Sequence, residues 1–433
     1  GNTLNPLTAD DRWGLMTCHM IYSPMYYINP DGSIEWILAE SMEPSDDGLV
    51  YTMKLKEGLK WSDGEPLTAD DIVFTFNSIN DMKENLYVGG EPIKVEKVDD
   101  TTVTFTLATQ SASVTELLSA ETFIVPKHIF DGKGSFDVNM LEDEVVGSGP
   151  YMLEEYKTGE HLKFVKNPNY ANGEANIDTV VYRIIENSDT ASLALQKQEV
   201  DALSVTVDQV DTFEGDDNFT VSKYSEGRVS YLRLNYSSPN MKDKDYREGI
   251  LRALNREEIM TAAFTSDDYY KLGYSFLPYS SSYYTEDGVE KWDQDVEKAK
   301  KILDDAGIVD SDGDGYREFD GDGKNIELSF LTYDSRCLKE FAEGTAANIE
   351  KIGIKVNVQE TDADTEWNKL TAGEYDLLST NWLTVQVGDP VGYMENWYSK
   401  SEANYCSYKN DTYDKLYEQL LVETDEDKIK DLV

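Results

Sequence analysis

The residues with the clearest chemical capacity form one short acidic run. Between Asp310 and Glu318 the chain reads Asp-Ser-Asp-Gly-Asp-Gly-Tyr-Arg-Glu, which places three carboxylates at alternate positions. This spacing matches the first half of an EF-hand-type calcium loop, in which oxygen ligands converge on a hard cation and a glycine permits the sharp turn. Gly315 occupies that glycine position. The run therefore predicts a calcium-binding loop, and a solvated acidic loop is the alternative.

The ligand set of this predicted loop departs from the usual one at its last position. Gly321 stands there in place of a glutamate, and Asp320 or Asp322 is the available substitute. Tyr316 contributes its backbone carbonyl in such a loop. We expect a bound Ca²⁺ ion to stabilise the chain locally and to take no part in catalysis. The predicted metal ligands are Asp310, Asp312, Asp314, Tyr316 and Asp320.

A second group of candidates surrounds a tryptophan-containing loop. Residues 375–378 predict a strand, and the chain then passes through Asn381 and Trp382 into a polar segment rich in Gly, Asp and Pro. In α/β folds, ligands bind at the carboxyl ends of strands. The pattern favours a ligand-binding loop, and an ordinary surface loop with one core tryptophan is the alternative.

The sequence shows no pattern of a known catalytic centre. It contains no G-x-S-x-G nucleophile elbow, no Walker loop and no dinucleotide-binding fingerprint. With 84 Asp and Glu residues, carboxylate pairs occur by chance at any spacing, whereas a glycosidase needs two that converge in a cleft. The 3 cysteines and 3 histidines are scattered, which supports neither a disulfide framework nor a zinc site. We therefore expect a protein that is not an enzyme.

The charge of the chain excludes further classes of function. Its 433 residues carry 84 acidic and 39 basic side chains, a formal net charge of −45. Binding to nucleic acid needs a basic face, and docking on anionic lipid needs a polybasic patch, so neither is expected. No run of about 18 apolar residues is present to span a bilayer. Because a high charge keeps proteins soluble and monomeric, we expect a monomer of two or three domains.

Periodicity in the first half of the chain predicts a mixture of strands and helices. Residues 48–56 alternate apolar and polar side chains, as a half-buried strand does, and the alternating Val and Thr residues of 94–107 predict a hairpin. Between them, Thr68 is placed to cap a helix whose first turn is acidic. Residues 147–185 predict mostly β-structure.

The second half of the chain predicts parallel strand pairing. A helix over 189–197 and a strand over 200–207 come first. A strand at 326–330, a helix through 341–352 and a strand at 354–358 then form a βαβ unit. Such a unit implies a parallel strand pair joined by a right-handed crossover. The class is therefore α/β with antiparallel additions.

Five motifs in a fixed order identify a family resemblance. They are Leu38–Ser41 ahead of the strand Gly48–Thr52, Leu55–Asp71, Gly147–Tyr151 with Lys166–Tyr170, Leu195–Ala202, and Tyr246–Ile259. The resemblance that they indicate covers nearly all 433 residues. In sequence and order they resemble the family 5 extracellular solute-binding proteins, which are the oligopeptide-, dipeptide- and nickel-binding components of ABC importers.

This resemblance implies a bilobed, periplasmic-binding-protein-like α/β fold of type II with an extra subdomain. It maps lobe I to residues 1–28 and 145–225, the inserted subdomain to 29–144, and lobe II to 226–433. In the family the chain then returns to lobe I, so we expect the closing strands of that lobe outside this sequence. We also expect an export signal, removed from a mature or trimmed chain.

The resemblance also implies ligand-binding residues in both lobes. The segment Ala9–Trp13 matches the stretch that pairs with extended peptide backbone by strand addition. The acid that holds the ligand ammonium in the family's peptide binders is missing from Leu383–Gln386, and Asp389 is the acid that remains nearby. Arg336 lies near the position of the arginine that binds the carboxylate in dipeptide receptors. The predicted ligand-binding residues are Asp10, Asp11, Arg12, Trp13, Arg336, Asn381, Trp382, Thr384, Gln386 and Asp389.

The resemblance thus predicts a substrate-binding protein that captures a peptide-like solute between two lobes and delivers it to an ABC permease. Ligand binding shifts the population towards a closed form that the permease recognises. We expect a periplasmic or extracellular protein or a cell-surface lipoprotein, with membrane contact only through a lipid anchor outside this chain. The family's nickel binders use a histidine near the loop at 382–390, and none occurs there.

Two alternatives to a peptide receptor stay open. An oligosaccharide receptor of the same fold is suggested by abundant aromatic residues, including the tyrosine pairs at 269–270 and 283–284. An extracellular glycan hydrolase is suggested by the many carboxylates, although it lacks a catalytic motif.

Overall fold

A computed structural model of the chain describes residues 3–9, 12–29, 33–82, 86–89, 91–119, 122–132, 145–185, 187–205, 207–224, 227–264, 266–319, 323–385 and 390–433. Two compact units are formed. Unit 1 comprises the residues up to Thr212 together with Leu420–Asp431, and unit 2 comprises Phe213–Gln386, Pro390–Gln419 and the last two residues. The finer division of the chain into two parts of lobe I and an inserted subdomain stays a prediction.

Unit 1 is built mainly of antiparallel sheet. Its elements are α1 (Arg12–Ile21), β1 (Tyr26–Ile28), β2 (Ile34–Trp36), β3 (Ala39–Pro44), β4 (Val50–Leu55), α2 (Ala69–Met82), β5 (Tyr87–Val88), β6 (Glu91–Pro92), β7 (Lys94–Asp99), β8 (Thr102–Thr106), α3 (Val114–Ser119), α4 (Lys127–Phe130), β9 (Tyr151–Lys157), β10 (His161–Lys166), β11 (Thr179–Arg183) and α5 (Ser188–Gln196). Four strands pair in the order β3-β4-β8-β7 and three in the order β11-β10-β9, all antiparallel.

Helix α2 confirms the cap predicted at its start. The Thr68 hydroxyl accepts a hydrogen bond from the Asp70 N–H at 3.3 Å, and Asp71 Oδ2 accepts one from the Thr68 N–H at 2.9 Å. This reciprocal arrangement satisfies two backbone donors and fixes where the helix begins. Phe76, fully buried on the inner face, meets the ring of Phe105 edge-on at 5.0 Å between centroids.

The glycines of the Gly147–Tyr151 motif allow a close backbone approach to α1. The Gly149 N–H donates to the Ile21 carbonyl at 2.7 Å. A Cβ atom added at Gly147 would lie 2.0 Å from that carbonyl oxygen, and one added at Gly149 would lie 2.6 Å from its carbon. Any side chain at either position would therefore separate the two segments.

Unit 2 has one mixed sheet with helices packed against it. Its elements are β12 (Arg228–Leu234), α6 (Lys244–Ala253), α7 (Arg256–Phe264), α8 (Val296–Asp305), β13 (Glu327–Tyr333), α9 (Leu338–Glu350), β14 (Lys355–Thr361), α10 (Ala363–Ala372), β15 (Leu377–Leu383), α11 (Val391–Met394) and α12 (Asp411–Leu420), and the chain ends with α13 (Glu426–Leu432). The strand order is β12-β15-β13-β14.

The register of this sheet confirms the predicted βαβ unit. β13 and β14 are parallel, with Phe330 opposite Val358, and α9 connects them. β13 is also parallel to β15, while β12 is antiparallel to β15. One face packs on α6 to α9 through a core that includes Phe330, Ile349 and Leu377, all fully buried. The other face carries a smaller apolar cluster with Leu331, Leu370 and Leu378.

The strand predicted over residues 200–207 is wrong. The described residues 200–205 form no strand, and a 3₁₀ turn covers Val207–Thr212. Leu203 and Val205 are spaced as the residues on one face of a strand are, yet both are only partly buried. Alternation alone does not supply the neighbouring strand whose backbone groups must complete the ladder.

Two further properties of the described chain bear on its function. None of its helices is both long enough and apolar enough to cross a membrane. Cys18 and Cys406 are buried free thiols, and Cys337 is a half-buried one.

Candidate functional site

Four of the ligand residues predicted in unit 2 lie near one edge of its sheet. β13 and β15 are parallel neighbours, with Phe330 opposite Leu377, so their carboxyl ends lie at the same edge. The amino end of the antiparallel β12 lies there too. This edge, with the segments 334–337 and 384–385 that follow the two parallel strands, is termed the carboxyl edge. It brings together Arg336, Asn381, Trp382 and Thr384.

Trp382 presents an aromatic surface at the carboxyl edge. Its side chain is 39% exposed, and its ring lies 6.4 Å from that of Tyr393, which in turn lies 5.7 Å from Trp397. The Tyr393 hydroxyl makes a short hydrogen bond with the hydroxyl of Tyr231 on β12. Supporting rings thus hold Trp382 in place, which suits contact with an apolar or planar part of a ligand.

Asn381 and Thr384 face into the protein and fix the local structure. Asn381 Nδ2 donates to Ser230 Oγ at 2.7 Å, whereas its Oδ1 is buried and has no hydrogen-bond partner within the described chain. Thr384 is fully buried, and its hydroxyl donates to the carbonyl of Phe276. That bond anchors the start of the loop, so the expected ligand contact from Thr384 is not available in this conformation.

Arg336 lies on the exposed loop between β13 and α9. Both Arg336 and Cys337 have positive φ angles, 52° and 59°, which non-glycine residues seldom adopt. The guanidinium of Arg336 forms no hydrogen bond or ion pair with any residue that the structure describes. A tight, strained turn therefore holds an available cation at the carboxyl edge.

The structure does not describe four of the predicted ligand residues, namely Asp10, Asp11, Gln386 and Asp389. Arg12 and Trp13 form the start of helix α1. Their backbone is therefore helical, and the expectation that it pairs with an extended peptide is wrong for these two residues. A helical segment directs its N–H and C=O groups along its own axis and offers no strand edge.

A buried arginine on β12 escaped the sequence analysis. Arg233 is only 6% exposed, and its Nη2 donates to the Tyr231 hydroxyl at 2.9 Å and to Asn396 Oδ1 at 3.4 Å. Its Nε and Nη1 have no hydrogen-bond partner among the residues described. The signal was present, because an arginine within an alternating apolar strand is rarely buried without a specific role.

The buried charge of Arg233 affects the pKa of Glu366 on α10. It is 9% exposed, and its Oε1 lacks a partner among the described atoms. Burial raises the pKa of Glu366 to about 7, and the positive charge of Arg233 opposes that rise. The two side chains interact electrostatically across the second face of the sheet.

The acidic run places its three aspartates close together in unit 2. Asp310 accepts hydrogen bonds from the N–H groups of Gly313 at 2.6 Å and Gly315 at 2.9 Å. These bonds fold the segment into a compact loop. One carboxylate oxygen from each aspartate lies within 4.8 Å of the others, and all three side chains are exposed: Asp310, Asp312 and Asp314.

Tyr316, the next predicted metal ligand along the loop, contacts two neighbouring residues. The N–H of Tyr316 donates to Asp314 Oδ1 at 2.9 Å, and the Tyr316 ring lies under the ammonium of Lys355. A hydrogen bond from Asn325 and this N–H lower the pKa of Asp314. Asp320 lies outside the described residues, so its expected role as a metal ligand stays a prediction.

Comparison with known proteins decides the family. A profile for the bacterial extracellular solute-binding proteins, family 5 (middle region), matches residues 34–405. The chain belongs to this family. It is 30% identical over 431 residues to the oligopeptide-binding protein AppA of Bacillus subtilis, covering 95% of this chain and 77% of that protein. It is also 26% identical over 449 residues to a probable D,D-dipeptide-binding periplasmic protein of Escherichia coli.

Solved structures of other family members share the fold. The ABC transporter substrate-binding protein CtaP of Listeria monocytogenes matches with a TM-score of 0.88 and 34% identity, covering 100% of this chain and 86% of that one. AppA of B. subtilis, solved in complex with a nonapeptide, matches with a TM-score of 0.79 and 28% identity over 100% of this chain and 87% of that one. The resemblance identified from five motifs and the α/β binding-protein fold are both confirmed.

Family membership also indicates the general role of the chain. The matched family is one of extracellular solute-binding proteins, and the two relatives named above are an oligopeptide-binding and a probable D,D-dipeptide-binding protein. The chain is therefore a substrate-binding protein of the transport class.

Proposed function

We propose that this chain binds peptides for an ABC importer. The observation that carries the proposal is its 30% identity to an oligopeptide-binding protein over 95% of its length. The fold it shares with a nonapeptide-bound relative supports the same ligand class. Binding, with no bond made or broken, is the whole of the proposed activity.

The carboxyl edge of unit 2 supplies two groups suited to a peptide. Trp382 offers a supported aromatic face to an apolar side chain, and Arg336 offers a guanidinium with no partner among the described residues. A guanidinium pairs with a carboxylate through two parallel hydrogen bonds. We therefore assign Trp382 to side-chain contact and Arg336 to a ligand carboxylate, either a C-terminus or an acidic side chain.

The proposal includes a site of action and a protein partner. The protein works outside the cytoplasm, at the cell surface or in the periplasm, and hands its ligand to a permease. Its net charge of −45 suits a receptor that stays dispersed in that compartment and attracts cationic peptides at low salt.

Isothermal titration calorimetry on the full chain tests the ligand class. The panel contains dipeptides, tetrapeptides and nonapeptides, each in acidic and basic versions, together with oligosaccharides and nickel chelates. We expect saturable heat from at least one peptide and none from the sugars or chelates. Binding of an oligosaccharide with no peptide response would overturn the proposal and favour the sugar-receptor alternative.

A further inference from the structure

The acidic loop of unit 2 is anchored to the core independently of its own carboxylates. The N–H of Arg317 donates to the Gly353 carbonyl at 2.7 Å, and Arg317 Nε donates to the Ile352 carbonyl at 2.7 Å. Arg317 Nη1 also pairs with Asp304 Oδ1 at 2.6 Å. The only arginine of the run therefore faces the α9–β14 turn and α8, and its charge is already paired there.

Three exposed carboxylates converge beside this anchored segment. Asp310, Asp312 and Asp314 bring oxygen atoms within 4.8 Å of one another. Like charges at this spacing repel, and a hard cation that takes oxygen ligands relieves the repulsion. Exposed acids converge in many proteins without binding a cation, so their spacing alone does not identify a metal site.

A buried acid, Glu318, lies beside this loop. It is fully buried, and its Oε2 accepts a hydrogen bond at 2.9 Å from the N–H of Ser311, which lies between Asp310 and Asp312 in the chain. The carboxylate thus reaches back into the acidic loop. Its Oε1 has no hydrogen-bond partner within the part of the chain described. A buried carboxylate oxygen that receives no hydrogen bond from the protein is costly unless a cation compensates it.

We propose that this loop binds one Ca²⁺ ion, with Glu318 as the buried acid that completes the site. Asp310, Asp312 and Asp314 occupy the first, third and fifth positions of the loop and ligate the ion directly. Glu318 stands at the ninth position, which acts through a water molecule in many loops of this type. Glu318 is thus an additional acid of the site, beside the ligands expected from the sequence.

The chemistry of the donor set selects calcium over other common cations. All donors are oxygen atoms, and three of them belong to carboxylates on an exposed loop that can adjust its geometry. Ca²⁺ accepts six to eight such ligands in flexible arrangements, whereas Mg²⁺ needs near-octahedral geometry and Zn²⁺ prefers nitrogen and sulfur. The ion would join the loop to the core segment that holds Arg317 and Glu318.

The test uses the full chain after treatment with EDTA. Binding is measured by isothermal titration with Ca²⁺, and thermal unfolding is recorded with and without Ca²⁺. Tb³⁺ serves as a luminescent substitute for Ca²⁺, excited through Tyr316 in the loop. We expect saturable binding of one ion and a rise in Tm of several degrees, which a stoichiometric excess of EDTA reverses. Absence of both heat and a Tm shift up to about 10 mM Ca²⁺ would overturn the proposal, since even weak extracellular sites saturate there.

Two variants separate ion binding from a purely structural role. Asp312→Asn and Glu318→Gln should each weaken Ca²⁺ binding at least tenfold. In EDTA, Glu318→Gln should unfold at the same temperature as the unaltered chain or higher, because it removes an uncompensated buried charge. Asp217→Asn, which removes an exposed acid from another loop of unit 2, is the matched control and should bind Ca²⁺ normally. Undiminished binding by both loop variants would contradict the site.

Discussion

The guanidinium of Arg233 donates a 2.9 Å hydrogen bond to the Tyr231 hydroxyl, two residues earlier on the same face of β12. Tyr231 in turn shares a short hydrogen bond with Tyr393, which contacts the ring of Trp382. A buried cation is thus linked through two phenols to the aromatic surface of the carboxyl edge. A change that disturbs this chain of contacts should therefore affect both the stability of unit 2 and the position of Trp382, a candidate ligand residue.

Replacing Arg233 should weaken unit 2 in a way that depends on Glu366. We expect Arg233→Met to lower the free energy of unfolding by about 2 kcal/mol at pH 8, because two hydrogen bonds are lost and Glu366 loses a favourable charge. In a Glu366→Gln background the loss should be smaller. Urea unfolding of the four proteins in a double-mutant cycle measures the coupling. Equal losses in both backgrounds would show that the two side chains do not interact.

Glu366 should make stability fall as the pH rises from about 4.5 to about 7. Its pKa in the folded chain is about 7, above the ordinary 4.5, so the folded state holds the proton more tightly than the unfolded state. Stability from this group is therefore complete below pH 4.5 and lost as the pH passes 7. Relative to Glu366→Gln, the unaltered chain should lose about 3 kcal/mol between pH 4.5 and pH 8.

Chemical unfolding of the unaltered chain and of Glu366→Gln, measured between pH 4.5 and pH 8, gives the two free energies of unfolding to compare. The exposed Glu374, close by in sequence, provides the matched control as Glu374→Gln. A stability difference between the unaltered chain and Glu366→Gln that stays constant with pH would contradict the raised pKa.

Gly149→Ala should destabilise unit 1 by about 2 kcal/mol. The added Cβ would lie 2.6 Å from the Ile21 carbonyl carbon and 2.7 Å from the Met20 carbonyl oxygen, and both are backbone atoms that cannot rotate away. Gly273→Ala is the control, because the nearest atom to its Cβ lies 3.9 Å away. Thermal unfolding of the two variants separates a steric clash from a general effect of losing glycine, because the general effect would lower the Tm of both variants equally.

Trp382→Ala should weaken peptide binding about tenfold while leaving Tm nearly unchanged. Its ring is 39% exposed, so little core packing is lost on truncation. Trp367→Ala is the matched control, because Trp367 is 44% exposed and its ring packs on Tyr405, whereas that of Trp382 lies beside Tyr393. Titration calorimetry with the peptide that binds best provides the measurement. An equal loss in both variants would remove Trp382 from the ligand surface.

The βαβ unit of unit 2, formed by β13, α9 and β14, was predictable because its signals are local. Alternation identified β13 and β14, helical periodicity identified α9, and a βαβ succession implied the parallel pairing that the register shows. The cap at Thr68 was equally local, since it depends on residues within one helical turn. The family resemblance rested on short motifs whose order survives in the chain itself.

The sequence by itself determined the fold class, the family and the acidic run with its three aspartates. Only the tertiary structure decided which polar groups are buried together: Arg233 near Glu366, Thr384 against Phe276, and Glu318 against Ser311. It also rejected the strand over residues 200–207. The physical reason is that periodicity and motifs act over a few residues, whereas burial and partnership depend on which distant segments pack against each other.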